Sequence, residues 1–179
     1  MTDNEREQII TQARELFQAL RDNMRQKWNR DLPLEELIFD RWERAKSLGF
    51  GAGASIYHNS YVYGEVRVGE QTWIGPFTLL DGTGGLTIGS HCSISAGVQI
   101  YTHHTVAWAT SMGQSPPDQK PTKIGSGVYI GPQTVIQMGV TIGDRVVIGA
   151  MSLVNRDIPS GVRAWGVPAR IQPPAPQQA

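Results

Sequence analysis

A six-residue repeat between residues 124 and 154 constrains the fold of this chain more than any other feature. A branched aliphatic residue recurs at every sixth position: Ile124, Ile130, Ile136, Ile142, Ile148 and Val154. Glycine follows four of these residues, and a small or β-branched residue stands four positions after each of them. The period excludes ordinary patterns, because an amphipathic helix repeats its apolar residues at spacings of three and four, and a one-faced strand at two.

A period of six fits a short strand followed by a tight turn, with three such units closing one triangular coil. The aliphatic residue would point to the axis and the small residue would fill the narrow interior, while glycine would tolerate the backbone of the bend. One coil cannot bury its own inner face, so the coils must stack. The sequence therefore predicts an all-β solenoid.

The repeats begin at Ile56 and are interrupted twice. Leu80 and the next aliphatic residue, Ile88, are eight positions apart, so residues 81–85 contain a two-residue insertion. Ile100 and Ile124 are 24 positions apart, a multiple of six, so the chain leaves the stack and re-enters it in phase. Loops longer than about 12–15 residues in compact domains are usually functional or disordered. We therefore predict one long protruding loop at residues 103–121.

The first 50 residues predict an N-terminal helical segment. Thr2 and Glu5 have the spacing of a capping box, and apolar residues then follow at helical spacing: Ile9, Ala13, Leu16, Phe17, Leu20 and Met24. A second helix is predicted over residues 33–48, with Gly49 as its stop. The segment would cover the open end of the solenoid or would also help to form a binding pocket. The solenoid domain would span residues 51–170, followed by a disordered tail at 171–179 that is rich in Pro and Gln.

Composition excludes several classes of protein. The net charge is +0 and the pI is about 6.9, whereas non-specific binding to nucleic acid or to an anionic membrane needs a basic surface. No apolar run approaches the roughly 20 residues of a membrane span. The single cysteine, Cys92, excludes an internal disulfide and falls in an inward slot four residues after Ile88, which favours a buried structural role. These features predict a cytoplasmic protein without membrane insertion.

Three motifs together resemble the hexapeptide-repeat acyltransferases. They are the repeats from Ile56 to Val154, the segment Tyr-Thr-His-His-Thr at residues 101–105, and the ending Gly-Val-Pro-Ala-Arg at residues 166–170. The likeness is strongest to sugar O-acetyltransferases, such as the galactoside and maltose acetyltransferases, and to their polysaccharide-modifying relatives. It implies a left-handed parallel β-helix, a homotrimer with sites between subunits, and acetyl-CoA as co-substrate with no metal.

His103 is the predicted general base. An alcohol is a poor nucleophile at neutral pH, so a base must accept its proton as the new bond forms, and histidine has a suitable pKa range. His103 follows Ile100 by three residues, at the mouth of the loop, where the resemblance places the family's base. His104 is adjacent and would point the opposite way on an extended segment. It would contact the acceptor, orient the site or serve as the base itself.

The resemblance also implies binding residues. On the acceptor side, Asp81 would bind a sugar hydroxyl, support the histidine or simply form a turn with Gly82. Trp108 would stack on a sugar, cover the site or anchor the loop. The positions that match CoA contacts are Tyr129 near the thioester, Ala150 and Asn155 with Arg156 along the CoA arm, and Arg170 near a phosphate. Pro173 stands where relatives have a further cation, and each of these residues has an ordinary surface role as its alternative.

The predicted function is acetyl-CoA-dependent transfer of an acetyl group to a hydroxyl of a saccharide, directly within a ternary complex. A near alternative is an N-acetyltransferase acting on a nucleotide-linked amino sugar. A zinc-dependent enzyme like the carbonic anhydrases of this fold is less favoured, because the spacing of the four histidines matches no ligand motif. A non-catalytic β-helical scaffold is the remaining alternative.

Overall fold

The computed structural model of the protein describes residues 1–173, which divide into two compact units between Arg41 and Trp42. Residues 174–179, most of the predicted disordered tail, lie outside the described part of the chain. Helices with the length and apolar character needed to cross a membrane are absent from residues 1–173.

The N-terminal unit consists of α1 (Asp3–Trp28) and α2 (Leu34–Ile38). The predicted capping box is present, since the Thr2 hydroxyl accepts a hydrogen bond from the Glu5 N–H at 3.3 Å and the Glu5 carboxylate accepts one from the Thr2 N–H at 2.6 Å. Asn29 adopts a left-handed backbone and ends the helix. The local signals at the start of the chain therefore act as the sequence predicts.

The single helix predicted over residues 33–48 is wrong. Helix α2 ends at Ile38, and a separate helix, α3, spans Arg41–Ser47. Phe39 between them has an extended backbone, with φ −110° and ψ 135°, and Asp40 is a residue type that favours helix starts. Gly49 has a φ of 73° and provides the predicted stop after α3.

The second unit is built from short strands. In chain order they are β1 (Ser55–Ile56), β2 (Tyr61–Val68), β3 (Trp73–Ile74), β4 (Leu79–Ile88), β5 (Ser93–Ile94), β6 (Gln99–Ile100), β7 (His103–His104), β8 (Asp118–Gln119), β9 (Thr122–Ile124), β10 (Tyr129–Ile130), β11 (Val135–Ile136), β12 (Thr141–Ile142), β13 (Val147–Ile148), β14 (Leu153–Val154), β15 (Arg163–Trp165) and β16 (Arg170–Ile171). A short helix, α4 (Val106–Thr110), lies between β7 and β8.

Each repeat strand pairs in parallel with its equivalent in the next coil, so the aliphatic residues form three inward columns. The columns are Ile56, Ile74, Ile94, Ile130, Ile148 and Ala164; Val62, Leu80, Ile100, Ile136 and Val154; and Val68, Ile88, Ile124, Ile142 and Ile158. Apart from Val62, each is at most 7% exposed. The predicted fold class, a parallel β-helix of hexapeptide repeats with an N-terminal helical segment and one long loop, is confirmed.

The small residues of the repeat are also inward, but the role predicted for glycine is wrong. Gly131 does not need its conformational freedom for the bend, since the left-handed positions fall two residues after the glycines, at Gln133 (φ 58°) and Arg145 (φ 54°) among others. A Cβ on Gly131 would instead lie 2.5 Å from the backbone nitrogen of Ala150 in the next coil. Glycine is therefore required by the close approach of successive coils.

Helix α3 and the residues after it pack on the first coil. Ala45 and Phe50 belong to the hydrophobic core of the solenoid and are 1% and 8% exposed. The Arg44 guanidinium donates hydrogen bonds to the carbonyl oxygens of Tyr57 and Ser60, at 2.8 Å for Ser60. This end of the coil stack therefore has its apolar interior covered by the chain itself.

The two interruptions of the repeat have defined structures. Gly64 of β2 pairs with Gly82 of β4, but Val66 pairs with Leu86, so the two-residue insertion forms a bulge at residues 83–85. The long loop begins and ends with the antiparallel pair β7 and β8, which sets His103 opposite Gln119 and His104 opposite Asp118. The loop therefore starts as a two-stranded ribbon, with α4 between its arms.

Candidate active site

The strand register brings Asp81 and His103 together from adjacent coils. Leu80 pairs with Ile100, so Asp81, which follows Leu80, faces the start of the long loop. The His103 Nδ1 atom lies 2.6 Å from Asp81 Oδ2, although the two residues are 22 positions apart. The parallel pairing of Leu80 with Ile100 therefore holds Asp81 and His103 in contact.

The Asp81 carboxylate is buried and fully engaged. Its side chain is 1% exposed. Oδ2 also accepts hydrogen bonds from the N–H groups of Thr102 at 2.8 Å and His103 at 3.1 Å. Oδ1 accepts from the Thr83 N–H at 3.0 Å and from the Thr83 hydroxyl at 2.6 Å. Burial raises the pKa of Asp81, but the hydrogen bonds from Thr83, Thr102 and His103 outweigh it and hold the pKa well below its usual range.

An ionised Asp81 dictates which nitrogen of His103 carries the proton. A carboxylate only accepts hydrogen bonds, so Nδ1 must be the donor in their 2.6 Å contact. In the neutral imidazole the lone pair then lies on Nε2. The His103 side chain is 32% exposed, so its ring remains accessible from solvent. This geometry makes Nε2 the nitrogen that can accept a proton from a bound molecule.

A cavity of about 730 Å³ opens beside His103. Its walls come from the start of the loop and from the neighbouring coil: Tyr101, His103, His104, Thr105, Val106, Val135, Gln137 and Met138. The Tyr101 N–H donates to the Ile136 carbonyl at 3.0 Å, which joins the two walls. Pockets for small molecules usually measure about 300–1,000 Å³, so the cavity has the size of a small-molecule site.

His104 and Trp108 lie further along the loop. His104 also lines the cavity, and its Nδ1 lies 3.5 Å from Asp118 Oδ2 on the other arm of the loop. The two adjacent histidines therefore have different carboxylate partners. Trp108 is in α4, is 52% exposed and does not line the cavity. Of the predicted acceptor contacts in the loop, it is the farther from His103 along the chain.

Asn155 and Arg156 lie one coil beyond the cavity wall. The Gln137 N–H donates to the Val154 carbonyl at 2.9 Å, so Asn155 follows Gln137 in the same column of turns. Asn155 and Arg156 are exposed. The structure therefore places this predicted pair on the same side of the solenoid as His103.

Two of the other predicted CoA contacts, Tyr129 and Arg170, lie on a different sheet. Tyr129 in β10 and Arg170 in β16 belong to the seven-stranded sheet that begins at β1, whereas the cavity walls adjoin β6 and β11 of the second sheet. Ala150 lies in the exposed turn after β13. Within one chain, Tyr129 and Arg170 are thus separated by strand topology from His103, whereas the turn of Ala150 joins the two sheets.

Several residues of the site were missing from the sequence predictions. Thr83 and Thr102 hold Asp81, and Tyr101, Gln137 and Met138 line the cavity. The two-residue insertion was the signal for Thr83, and pairing Leu80 with Ile100 across it would have brought Thr102 next to Asp81. The wall residues had no signal, since they are ordinary repeat positions.

Cys92 is 2% exposed, as predicted for an inward slot, and its thiol donates to the Gly125 carbonyl at 3.2 Å. Burial raises the pKa of this thiol, which keeps it protonated. Within residues 1–173, no three His, Cys, Asp or Glu side chains form a group that would hold a metal ion.

Comparison with known sequences supports the resemblance. Residues 121–156 match the family described as bacterial transferase hexapeptide (six repeats). The galactoside O-acetyltransferase of Escherichia coli K12 is 57% identical over 51 residues, which are 28% of this chain and 25% of that protein. A chloramphenicol acetyltransferase of Morganella morganii is 29% identical over 146 residues, covering 72% of this chain and 69% of the relative. The aligned residues thus cover only a quarter of the length of the galactoside enzyme.

A solved structure covers nearly the whole chain. The crystal structure of a hexapeptide-repeat-containing acetyltransferase from Vibrio cholerae has a TM-score of 0.67 at 30% identity, covering 88% of this chain and 91% of that one. The acetyl-CoA complex of this acetyltransferase has a TM-score of 0.60 at 29% identity, covering 88% and 86% of the two chains. The chain belongs to the hexapeptide-repeat acyltransferases.

Proposed function

We propose that this protein transfers the acetyl group of acetyl-CoA to a hydroxyl of a saccharide, with His103 as the general base. The observation that carries the proposal is the contact of 2.6 Å between His103 Nδ1 and the buried Asp81 carboxylate, beside a cavity of small-molecule size. The galactoside O-acetyltransferase and the acetyl-CoA complex of the Vibrio protein support the acceptor class and the donor.

The chemistry is a direct transfer between two bound substrates. The acceptor hydroxyl attacks the thioester carbonyl carbon while Nε2 of His103 takes the hydroxyl proton. Asp81 stabilises the imidazolium that forms. The tetrahedral intermediate then collapses, the carbon–sulfur bond breaks, and the departing CoA thiolate takes the proton from Nε2. The products are the acetyl ester and CoA, and His103 returns to its neutral form.

We assign Asp81 to His103 rather than to the acceptor. Its side chain is 1% exposed and both oxygens accept hydrogen bonds from the protein, which leaves a saccharide hydroxyl no route to it. Acceptor contacts are proposed instead for His104 and, through closure of the loop, for Trp108. Among the other residues that line the cavity, Gln137 offers a neutral amide group to sugar hydroxyls.

Acetyl-CoA would lie between subunits of a homotrimer. Asn155 and Arg156 are on the side of His103, whereas Tyr129 and Arg170 are on another sheet of the same chain. A single CoA can touch both sets only if unlike faces of two solenoids meet. Cyclic threefold symmetry brings unlike faces of a prism together at each subunit boundary. The trimer therefore accounts for the separation of the two sets.

The proposal is tested by measuring CoA thiol release from acetyl-CoA with a panel of neutral saccharides and one nucleotide-linked amino sugar. We expect saturable release with a saccharide and a product heavier by one acetyl group, attached through oxygen. Transfer to the amine alone would identify an N-acetyltransferase and contradict the proposal. Absence of acetyl-CoA binding in calorimetry would instead support a non-catalytic scaffold.

A further inference from the structure

The two-residue insertion of the repeat creates a bulge directly beside Asp81. One residue of β2, Glu65, stands opposite three residues of β4, because the flanking pairs are Gly64 with Gly82 and Val66 with Leu86. Bulges re-aim side chains and backbone groups, and they are over-represented next to active sites. The regular coils have no residue at the corresponding place.

The polar groups of the bulge converge on Asp81 and Thr102. Thr83 donates both its N–H, at 3.0 Å, and its hydroxyl, at 2.6 Å, to Asp81 Oδ1. The Gly84 N–H donates to the Thr102 hydroxyl at 2.8 Å, and that hydroxyl donates to the Asp81 carbonyl, also at 2.8 Å. The bulge therefore supplies donors to the carboxylate oxygen that does not contact His103.

Two glycines allow the bulge to pack this closely. A Cβ on Gly82 would lie 2.3 Å from the Glu65 carbonyl oxygen, and a Cβ on Gly84 would lie 2.5 Å from the Thr102 carbonyl oxygen. Real Cβ atoms do not approach backbone oxygens so closely, so a larger residue at either position would push β4 away from its neighbours. The close packing keeps the Thr83 donors within reach of Asp81.

We infer that Thr83 is a positioning residue, which fixes the rotation of the Asp81 carboxylate so that Oδ2 holds the Nδ1 proton of His103. Thr83 does not contact the imidazole and does not line the cavity, so it acts through Asp81 alone. Loss of the hydroxyl leaves Oδ1 with the single backbone N–H. The N–H groups of Thr102 and His103 still hold Oδ2, but the carboxylate is less tightly oriented and its contact with Nδ1 weakens, so the ring places its proton on Nε2 in a larger share of molecules, where it blocks base catalysis. The inference rests on the proposed function.

Three variants test the role of the hydroxyl. Thr83→Val removes it at nearly constant shape, Thr83→Ser retains it, and Thr87→Val is the matched control at another exposed threonine of β4. We expect Thr83→Val to lower kcat about 10- to 100-fold, in line with loss of a hydrogen bond to a charged group. Its KM values should stay near those of the wild type, and its melting temperature should fall by only a few degrees, because one hydrogen bond to a buried carboxylate is lost. Thr83→Ser should keep kcat within about threefold, and Thr87→Val should match the wild type.

A spectroscopic measurement separates positioning from a merely structural role. The ¹⁵N shifts of the His103 ring nitrogens, assigned by their absence in His103→Ala, report which nitrogen carries the proton. We expect the Nδ1-protonated form in the wild type and a larger share of the Nε2-protonated form in Thr83→Val. The measurement needs no acceptor, so it tests Thr83 whatever the substrate is.

Each other outcome overturns a specific statement. Wild-type kcat and an unchanged tautomer in Thr83→Val, with activity lost in His103→Ala, would overturn the role of Thr83 and leave the proposed function standing. An equally low kcat in Thr83→Ser, or a lowered kcat in Thr83→Val with an unchanged His103 tautomer, would mean that the residue is structural. Full activity in His103→Ala would remove the proposed function itself.

Discussion

The regular coils of residues 124–154 have no insertion, whereas the interrupted region of residues 80–124 contains the two-residue bulge and the long loop. In the regular coils each side has six residues, and buried polar groups are satisfied by the neighbouring coil, as when the Thr134 hydroxyl donates to the Gly149 carbonyl at 3.1 Å. In the interrupted region, the bulge and the loop place Thr83 and His103 around Asp81. Strict repetition therefore builds the scaffold, and departures from it build the site.

The comparison also shows why the residues of the candidate site have well-defined positions. Leu80 and Ile100 remain paired inside the stack, each at 0% exposure, while the residues that follow them leave the repeat. The interruptions therefore start from rigid, buried positions rather than from a mobile surface. A site that begins on paired strands is held more closely than one built on loops alone.

The largest expected effect comes from breaking the regular region. Ile142→Asn should unfold the stack, because it removes a buried aliphatic side chain and leaves an unpaired amide, together roughly 3–8 kcal/mol against a typical total of about 5–15. Thr141→Asn, on the exposed neighbour in β12, should change stability by less than about 0.5 kcal/mol. Thermal unfolding followed by circular dichroism checks both, and equal melting temperatures would mean that Ile142 is not essential to the core.

The next largest effect is expected in the interrupted region, where a substitution should slow the reaction more than it destabilises the fold. Asp81→Asn is expected to lower kcat by roughly 10²–10⁴, because an amide can donate to Nδ1 and stabilise the wrong tautomer of His103. Acetyl-CoA affinity in calorimetry should stay within about twofold of the wild type, since the buried Asp81 side chain is not accessible to a bound cofactor. A variant with normal kcat would show that the carboxylate does not orient the base.

A smaller effect is expected at the edge next to the cavity. Arg156→Ala should weaken acetyl-CoA binding about 3- to 10-fold, as expected for loss of one exposed, charge-assisted contact. Arg145→Ala is the control, since Arg145 is also exposed but lies in a different column of turns. Calorimetric titration of both variants sharpens the comparison, and equal affinities would remove Arg156 from the CoA site.

The smallest effect is a pH dependence of stability. The pKa of Asp81 is lower in the folded protein than in the unfolded chain, so its contribution is fully present above the unfolded pKa of about 3.9 and is lost as the pH falls below it. The melting-temperature difference between wild type and Asp81→Asn should therefore shrink as the pH falls from about 5 to about 3, a range in which histidine side chains are already protonated. A difference that grows over this range would contradict the direction of the Asp81 shift.

The fold was predictable because many positions of the sequence carry the same repeat signal. Fourteen inward aliphatic positions from Ile56 to Val154 follow the six-residue period, apart from the two-residue insertion before Ile88, so no single exception changes the predicted register. Details that depend on atomic contact were not predictable. The glycines of the corners were assigned to the bend, whereas Gly131 is needed for the approach of Ala150. The break at Phe39 was not predicted, because the apolar residues of segment 33–48 continue at helical spacing across it.

The site was predictable in part. The position of His103 at the mouth of the loop followed from the resemblance, and support of the histidine was one of three alternatives for Asp81. Choosing among them required the strand register across the insertion, which brings together residues 22 positions apart. The resemblance implies CoA contacts for Tyr129 and Arg170, but the sequence does not state on which sheet these residues fall relative to His103.

The most direct test compares His103→Ala with His91→Ala, a change at an exposed histidine in a corner that contains neither of the two insertions. With acetyl-CoA and an accepted saccharide, we expect His103→Ala to lower kcat by about 10²–10⁴ while acetyl-CoA affinity is retained. The His91→Ala variant should keep the wild-type kcat and affinity. Equal turnover in the two variants would contradict general-base catalysis by His103 and, with it, the assignment of chemistry to the interrupted region.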